Sequence, residues 1–334
     1  MAGEVSLTRT YDDLLTTTTD YIRPLLSDNI TARIPYLHAL NLMGRKEVRS
    51  GGAVLRFPIF KELGPAQGYT GLETLSTTEG DNFTNALYEW KQFASPVTLS
   101  GLDLRKNSGT QQVIDLLKAS IEAAVLSLAN LVGGSTDGVW STATESNLDQ
   151  MTGLQALVSD TPTTGTVGNI ARTNAFWQNQ TDSVTTNFTT DGLLSMQNLW
   201  TLCSFGTDHP DLIVSTRLTW VNYLRAMNSD INYNVPQAPA AMNQSIVDMG
   251  PNVVQFFGVP MFFDDGAPAN SLYMLNSKYI HFVVNSMADF EIREFVVPTN
   301  QDGIFSQILL MAEQCFSGMR YHGRIIGGTS DTFS

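Results

Sequence analysis

Val113, Leu117, Ile121, Ala124, Leu128 and Leu131 recur at intervals of 4, 4, 3, 4 and 3 residues, with Ile114, Val125 and Val132 beside them. This is the period of an α-helix with one apolar stripe, and a stripe of that length has to be covered by another layer of the fold. The spacing predicts a helix over 110–131, a rod of roughly 33 Å. Ser108 or Thr110 can cap its start, and Gly133-Gly134 can end it in the left-handed conformation. Only Asp115, Lys118 and Glu122 are charged along it, so much of its circumference is expected to touch protein. Such a helix is either the spine of the fold or an ordinary core helix.

The segments around it set the fold class. Residues 1–50 combine a Thr run with Pro24 and Pro35 and hold no periodic stretch able to build a core, so they read as an arm lying on another body. The stretch AVLRFPIF at 53–60 is a strand that Pro58 places at an edge. Polar residues 61–85 follow, and 87–104 are strand-like again, so two strand regions flank a polar tip. Beyond the long helix, 133–190 are rich in Gly, Ser, Thr, Asn and Asp and read as loop with short strands. A helix capped by Thr190 or Asp191 then carries Leu193, Met196, Leu199, Trp200 and Cys203 on one face. A short strand at 212–214 leads to a helix capped by Ser215 or Thr216, with Leu218, Val221 and Leu224 in register. Strands are expected at 253–263, 271–274, 279–285, 290–297, 304–316 and 319–326. The sum is an α+β chain without internal repeats, and its 334 residues imply more than one packing unit.

Charge narrows the function. Apolar residues make up 43% but charged ones only 15%, against about 25% in ordinary soluble domains. Extended subunit interfaces are depleted in Lys, Glu and Asp, so the deficit points to a surface covered by other subunits. The net charge of −13 argues against a general binder of phosphate backbones. All the excess is late in the chain, residues 57–334 holding 12 bases and 26 acids. Cys203 and Cys315 are too few and too far apart for a disulfide framework or a metal knuckle and read as buried free thiols. The start, MAGEVSLTRT, has no secretory pattern, and no apolar run reaches the roughly 18 residues of a membrane span, so a cytoplasmic site of folding is expected.

Motifs whose spacing is fixed by mechanism are missing: no phosphate loop, dinucleotide fingerprint, His-Glu-x-x-His, Gly-x-Ser-x-Gly or Cys-x-x-Cys. His38, His209, His281 and His322 fall in different elements. Asp264-Asp265-Gly266 lacks the alternating oxygen ligands of a calcium loop and reads as a hairpin turn rather than a metal site. Trp200 and Trp220 fall among core positions of helices, which favours packing over a carbohydrate platform. No catalytic, cofactor-binding or metal-ligating residue is assigned, and no enzyme is expected.

Val97-Thr98-Leu99-Ser100-Gly101 and Asn107-Ser108-Gly109 lead into the long helix. They are followed by Gly153-Leu154-Gln155-Ala156-Leu157-Val158, Gly165-Thr166-Val167-Gly168-Asn169-Ile170, Phe176-Trp177-Gln178-Asn179 and, before a helix, Asp211-Leu212-Ile213-Val214-Ser215. In this order the motifs resemble the major capsid proteins of tailed bacteriophages, which share the Hong Kong 97-type fold. The resemblance covers nearly the whole chain. It implies an N-terminal arm at 1–52, an E-loop with its strands at 53–100, a peripheral (P) domain at 101–169 and 289–334 with the long helix as its spine, and an axial (A) domain at 170–288. It further implies a structural subunit forming hexamers and pentamers of an icosahedral head around double-stranded DNA, matured from a procapsid in a bacterial cytoplasm. An acidic inner wall would repel packed DNA and leave it close by without specific binding.

Inter-subunit contacts would fall to Lys61, Glu62, Glu73, Glu79 and Asp81 of the E-loop and to Arg45, Lys46 and Arg49 before it. The implied partners are other copies of the chain, a portal protein, a decoration or cement protein and a scaffolding protein. The last would be separate, since the E-loop begins by residue 53 and leaves no room for a fused scaffold. The type member joins an E-loop lysine to a neighbour's asparagine, but the only lysines of this excursion, Lys61 and Lys91, lie outside its central tip, which speaks against such a cross-link. An encapsulin-like shell and a small-oligomer surface-binding protein are the alternative readings.

Overall fold

The computed structural model describes residues 34–64, 66–73, 80–102, 110–228 and 254–327. Its elements in order are α1 (Pro35–Leu42), β1 (Lys46–Arg49), β2 (Leu55–Phe60), β3 (Phe83–Tyr88), β4 (Lys91–Ser100), α2 (Thr110–Val132), α3 (Leu154–Leu157), β5 (Thr166–Val167), β6 (Ile170–Ala171) and β7 (Gln180–Val184). The second half holds α4 (Leu193–Cys203), β8 (Leu212–Ser215), α5 (Arg217–Asn228), β9 (Val254–Phe256), β10 (Val259–Phe263), β11 (Ser271–Leu275), β12 (Ile280–Asn285), β13 (Glu291–Ile292), β14 (Gly303–Phe316) and β15 (Gly323–Gly327).

The expected spine helix is α2. It lies across β4, whose alternation puts Phe93, Ser95, Val97 and Leu99 inward. Leu117, Ile121, Ala124, Val125, Leu128, Ala129 and Val132 are buried beneath it, whereas Leu131, expected in the stripe, faces out. Lys118, Glu122, Ala123, Ser127 and Asn130 are exposed, so among the described residues one side of the helix is uncovered from 118 to 130. Gly133 and Gly134 are not left-handed; their amides close the helix on the carbonyls of Ala129 and Leu131.

Two sheets build the body. In the five-stranded sheet the long strand β14 is flanked on one edge by all ten residues of β4 and on the other by β12, then β13, then a bridge from Val296 to Phe305. The expected strand at 290–297 is therefore realised as fragments following β12 down one edge. The six-stranded sheet runs β7-β15-β11-β8-β10-β9. Leu212, Val214, Tyr273 and Leu275 turn one of its faces into the main core, while Ile213, Met261, Leu272 and Met274 meet α4 and α5 on the other. Burial on both faces explains why β8 and β11 are unbroken apolar runs.

Several expectations are corrected here. Residues 34–49, read as part of an arm, belong to the body: Tyr36, Leu37, Ala39 and Leu40 of α1 are core residues, and β1 pairs in parallel with β12. The rest of the arm, 1–33, and the proposed cap Ser108 lie outside the described residues. Strand β12 joins the five-stranded sheet although it precedes residue 289, and β15 joins the six-stranded sheet although it follows it. Asn187, not Thr190 or Asp191, caps the π-turn that opens α4, accepting from the Thr190 amide at 3.0 Å. The expected strand at 253–263 is a hairpin, β9–β10, turned by Phe257 (φ 49°) and Gly258 (φ 80°).

Candidate assembly surface

The β2–β3 ribbon pairs Leu55 with Tyr88 through to Phe60 with Phe83. Its root is fixed to the body. Leu55, Phe57, Ile59, Ala86 and Tyr88 are buried, the Tyr88 hydroxyl donates to Phe316 O at 3.0 Å and accepts from its amide at 3.2 Å, and Leu87 N donates to Gly168 O. Gly168 is left-handed (φ 61°), and an added Cβ would sit 3.1 Å from Ala86 and 3.3 Å from Tyr88, so glycine is what lets this turn close on the ribbon.

Beyond the root the support ends. Phe60 and Phe83 meet edge to face at 5.5 Å with both rings exposed, and Lys61 pairs with Asp81 at 2.8 Å across the strands. Past them Leu63 is 86% exposed, Tyr69 63% and Leu72 105%. Glu62 and Glu73 are exposed too, Glu73 accepting from Thr70 N at 3.4 Å, and Glu79 lies outside the described residues. Among the described residues five large apolar side chains stand exposed on this one excursion, the pattern of a surface meant for another molecule. Sequence reading marked this segment as polar and missed the apolar residues, which are spaced too widely to register as a run.

The basic residues expected at an interface are engaged within the chain. Arg45 Nε donates to Ser277 Oγ at 3.3 Å, Lys46 is bidentate on Asp289 at 2.8 and 3.1 Å, and Arg49 pairs with Glu47 at 2.8 Å while its guanidinium lies 4.8 Å from the Phe57 ring. Burial pushes the Glu47 carboxyl up, yet hydrogen bonds from Arg49 and His281 outweigh it and hold the group below the usual carboxylate range.

A second uncovered apolar group sits by the six-stranded sheet. Leu194, Leu202, Phe205 and Phe257 are exposed, Arg320 stacks 4.0 Å over Phe205, and His209 stacks on Trp200 at 5.6 Å.

The other histidines have separate roles. His38 is half-buried on α1, His281 bridges Glu47 and Ser317, and His322 is fully buried, its Nδ1 accepting from Asn276 N at 3.2 Å. Burial pulls His322 down to about 3. Asp264-Asp265-Gly266 is not the expected hairpin turn, because β8 lies between β10 and β11. Asp264, almost wholly buried, accepts from the amides of Gly266 (2.9 Å) and Tyr36 (3.2 Å). It thus caps α1 from 228 residues away, where Ile34 offers no side-chain cap. Asp265 pairs with Arg217 at 2.9 Å. Trp140 is buried between Tyr36 and Tyr273, and Trp200 and Trp220 are half-buried among aromatic neighbours. Cys203 and Cys315 are free and buried, and burial pushes both thiols up. Among the described residues no group of three His, Cys, Asp or Glu is placed to hold a metal, and no helix is long and apolar enough to cross a membrane.

One feature escaped sequence reading altogether: Lys91 and Glu313 are both fully buried. Lys91 shares the inward alternation of Phe93, which was the available signal.

No protein-family model matches this chain, and no curated protein does. Solved structures do. A chain of the cyanophage A-1(L) capsid asymmetric unit superposes with a TM-score of 0.66 at 15% identity, covering 89% of this chain and 92% of that one. A chain from the capsid of the native GTA particle gives 0.53 at 10% identity over 86% and 89%, and one from Mycobacterium phage Cain gives 0.54 at 11% over 87% and 90%. The fold is the Hong Kong 97-type capsid fold, with α2 as its spine helix and the β2–β3 ribbon as its E-loop.

Proposed function

We propose that this chain is the major shell subunit of a tailed-phage head, a structural protein that self-assembles into hexamers and pentamers of an icosahedral capsid around double-stranded DNA. The observation that carries the reading is the E-loop: its root is locked into the subunit by Tyr88, while Phe60, Leu63, Tyr69, Leu72 and Phe83 are left bare. A monomer has no use for that arrangement, but a neighbouring subunit beneath the ribbon would bury those side chains. Low charge content and the uncovered side of α2 fit the same assembly. The body around the five-stranded sheet acts as P-domain and the six-stranded sheet with α4 and α5 as A-domain. No turnover chemistry is assigned. Of the charged candidates, Glu62, Glu73 and the Lys61–Asp81 pair lie on the E-loop as neighbour contacts, and Arg45, Lys46 and Arg49 act at β1 by holding the body together.

A separate scaffolding protein, a portal and a decoration protein complete the assembly, which forms in the host cytoplasm and ends in the virion. The net charge of −13 keeps packaged DNA from adhering to the wall. Electron microscopy and light scattering of the protein co-expressed with its scaffolding partner test this: closed, shell-sized particles are expected. Deleting residues 64–82 should leave a folded subunit that builds none, because shortening a surface loop costs little. Particles from the deletion variant, or small oligomers only from the full chain, would overturn the reading.

A further inference from the structure

Glu47, His281 and Ser317 come from three parts of the chain and form one relay at the root of the E-loop. Glu47 lies on β1, His281 on the neighbouring strand β12, and Ser317 follows the last residue of β14. Glu47 Oε1 meets His281 Nδ1 at 2.5 Å, and His281 Nε2 meets Ser317 Oγ at 3.1 Å. A carboxylate only accepts, so Nδ1 carries the proton and Nε2 of the neutral ring is an acceptor, to which the serine hydroxyl must donate. The competing acceptor, the Tyr279 carbonyl, is farther away at 3.5 Å. Both outer groups are held: Arg49 Nη2 donates to Glu47 Oε2 at 2.8 Å, and the Ser317 amide donates to Tyr279 O at 3.0 Å. The Phe57 ring of β2 stacks on the imidazole at 4.6 Å and fixes its plane. These contacts span 234 and 36 positions, so four scattered histidines gave no sign of them.

Carboxylate, imidazole and hydroxyl in this order make a serine nucleophilic, because the base is kept in the right tautomer with its lone pair on the hydroxyl proton. Two further features suit an incoming group. The relay is open to solvent: the side chain of Glu47 is 35% exposed and that of His281 19%, and Ser317 is half-buried. The Gly318 amide donates no hydrogen bond among the described residues, and the amide after the nucleophile is a recurrent oxyanion donor.

We propose that Ser317 is an activated nucleophile that accepts the acyl group of a small activated carboxylic ester, with His281 as its base and Glu47 as the residue that positions the base. Ser317 Oγ bonds to the ester carbonyl carbon while its proton passes to His281 Nε2. The tetrahedral adduct then collapses, the bond to the leaving oxygen breaks, and that oxygen takes the proton from Nε2. The products are an acylated Ser317, one acyl group per subunit, and a free alcohol. This chemistry lies beyond the structural role proposed above and does not rest on it.

The test treats the full-length free subunit with a fluorophosphonate, whose phosphorus stands in for the ester carbon and whose fluoride is the leaving group. Peptide mass spectrometry locates the adduct and follows its rate. Ser317 should be modified, and Ser183, an exposed serine on β7, should not. His281→Gln should slow the modification by on the order of 100-fold or more. Glu47→Gln, whose amide can donate to Nδ1 and favour the wrong tautomer, should slow it by on the order of 10-fold or more while the urea midpoint shows the variant folded. A hydrogen-bonded staple with no chemistry gives no adduct at Ser317, or one that forms as fast in His281→Gln as in the wild type; either result overturns the proposal. Should His281→Gln not fold, the wild type decides: a rate at Ser317 on the order of 100-fold above that at Ser183 supports the proposal, and a rate no greater than at Ser183 sinks it. Neither readout depends on whether shells form.

Discussion

Ile121→Ala is the sharpest test of how the spine helix is held. Ile121 is fully buried at the centre of the α2 stripe, over β4. The substitution removes three carbons, about 2.4 kcal/mol of transfer free energy at about 0.8 per methylene. The residual cavity adds to this at about 24 cal/mol per Å3, and alanine returns a few tenths through its helix propensity. The net loss should be about 3 kcal/mol, inside the 2–5 range of buried large-to-alanine changes. Urea unfolding of the isolated subunit is the assay; at a slope of about 3 kcal/mol/M the midpoint falls by about 1 M. Lys118→Ala is the control: it lies on the same helix with a 61% exposed side chain and a 3.9 Å pair to Glu122, and should move the midpoint by less than about 0.2 M. Equal shifts for both variants, or a loss below about 1 kcal/mol for Ile121→Ala, would refute the packing argument.

Asp264→Ala should cost about 1–2 kcal/mol by stranding the Tyr36 and Gly266 amides, and Asp264→Asn, which keeps an acceptor, clearly less; thermal melts rank the two. His322 is held neutral by burial down to about pH 3, so its stabilising effect is complete above its ordinary value near 6.5 and is lost as pH falls from there toward 3. Urea midpoints at about pH 7 and about pH 4.5 should therefore fall less in His322→Asn, which retains an acceptor for Asn276 N, than in the wild type. Gly153→Ala should prevent folding or cost more than about 4 kcal/mol, because its Cβ would lie 1.8 Å from Ser141 O; soluble yield and circular dichroism check it.

Periodicity carried a good deal of this fold. The α2 stripe, the β8 run before α5, Thr216 as the cap that receives Thr219 N, and Pro58 on a ribbon edge were all legible, because each is written in neighbouring residues. So was the order of motifs that resembles phage shell proteins. The short segment 34–49 was not: α1 spans two turns, too few for a period to stand out, and its cap comes from Asp264 across the fold. The bare apolar residues of the E-loop were equally hidden, since a sequence states that a leucine is present but not whether anything covers it.

The sequence by itself determined which faces of α2 and β4 are apolar, where α5 begins, and that charge is too sparse for an ordinary free surface. Only the tertiary structure decided which strands meet. A strand's alternation of two names its inward face but not its partner, so nothing local to β4 could say that Lys91 would sit opposite Ala312, or that β12 and β13 would share β14's other edge. From that pairing come the burial of Lys91 and Glu313 and the anchoring of the ribbon through Tyr88. These depend on contacts between residues far apart in the chain, 228 positions for Tyr88 and Phe316, whose partners are chosen by the packing of the whole core.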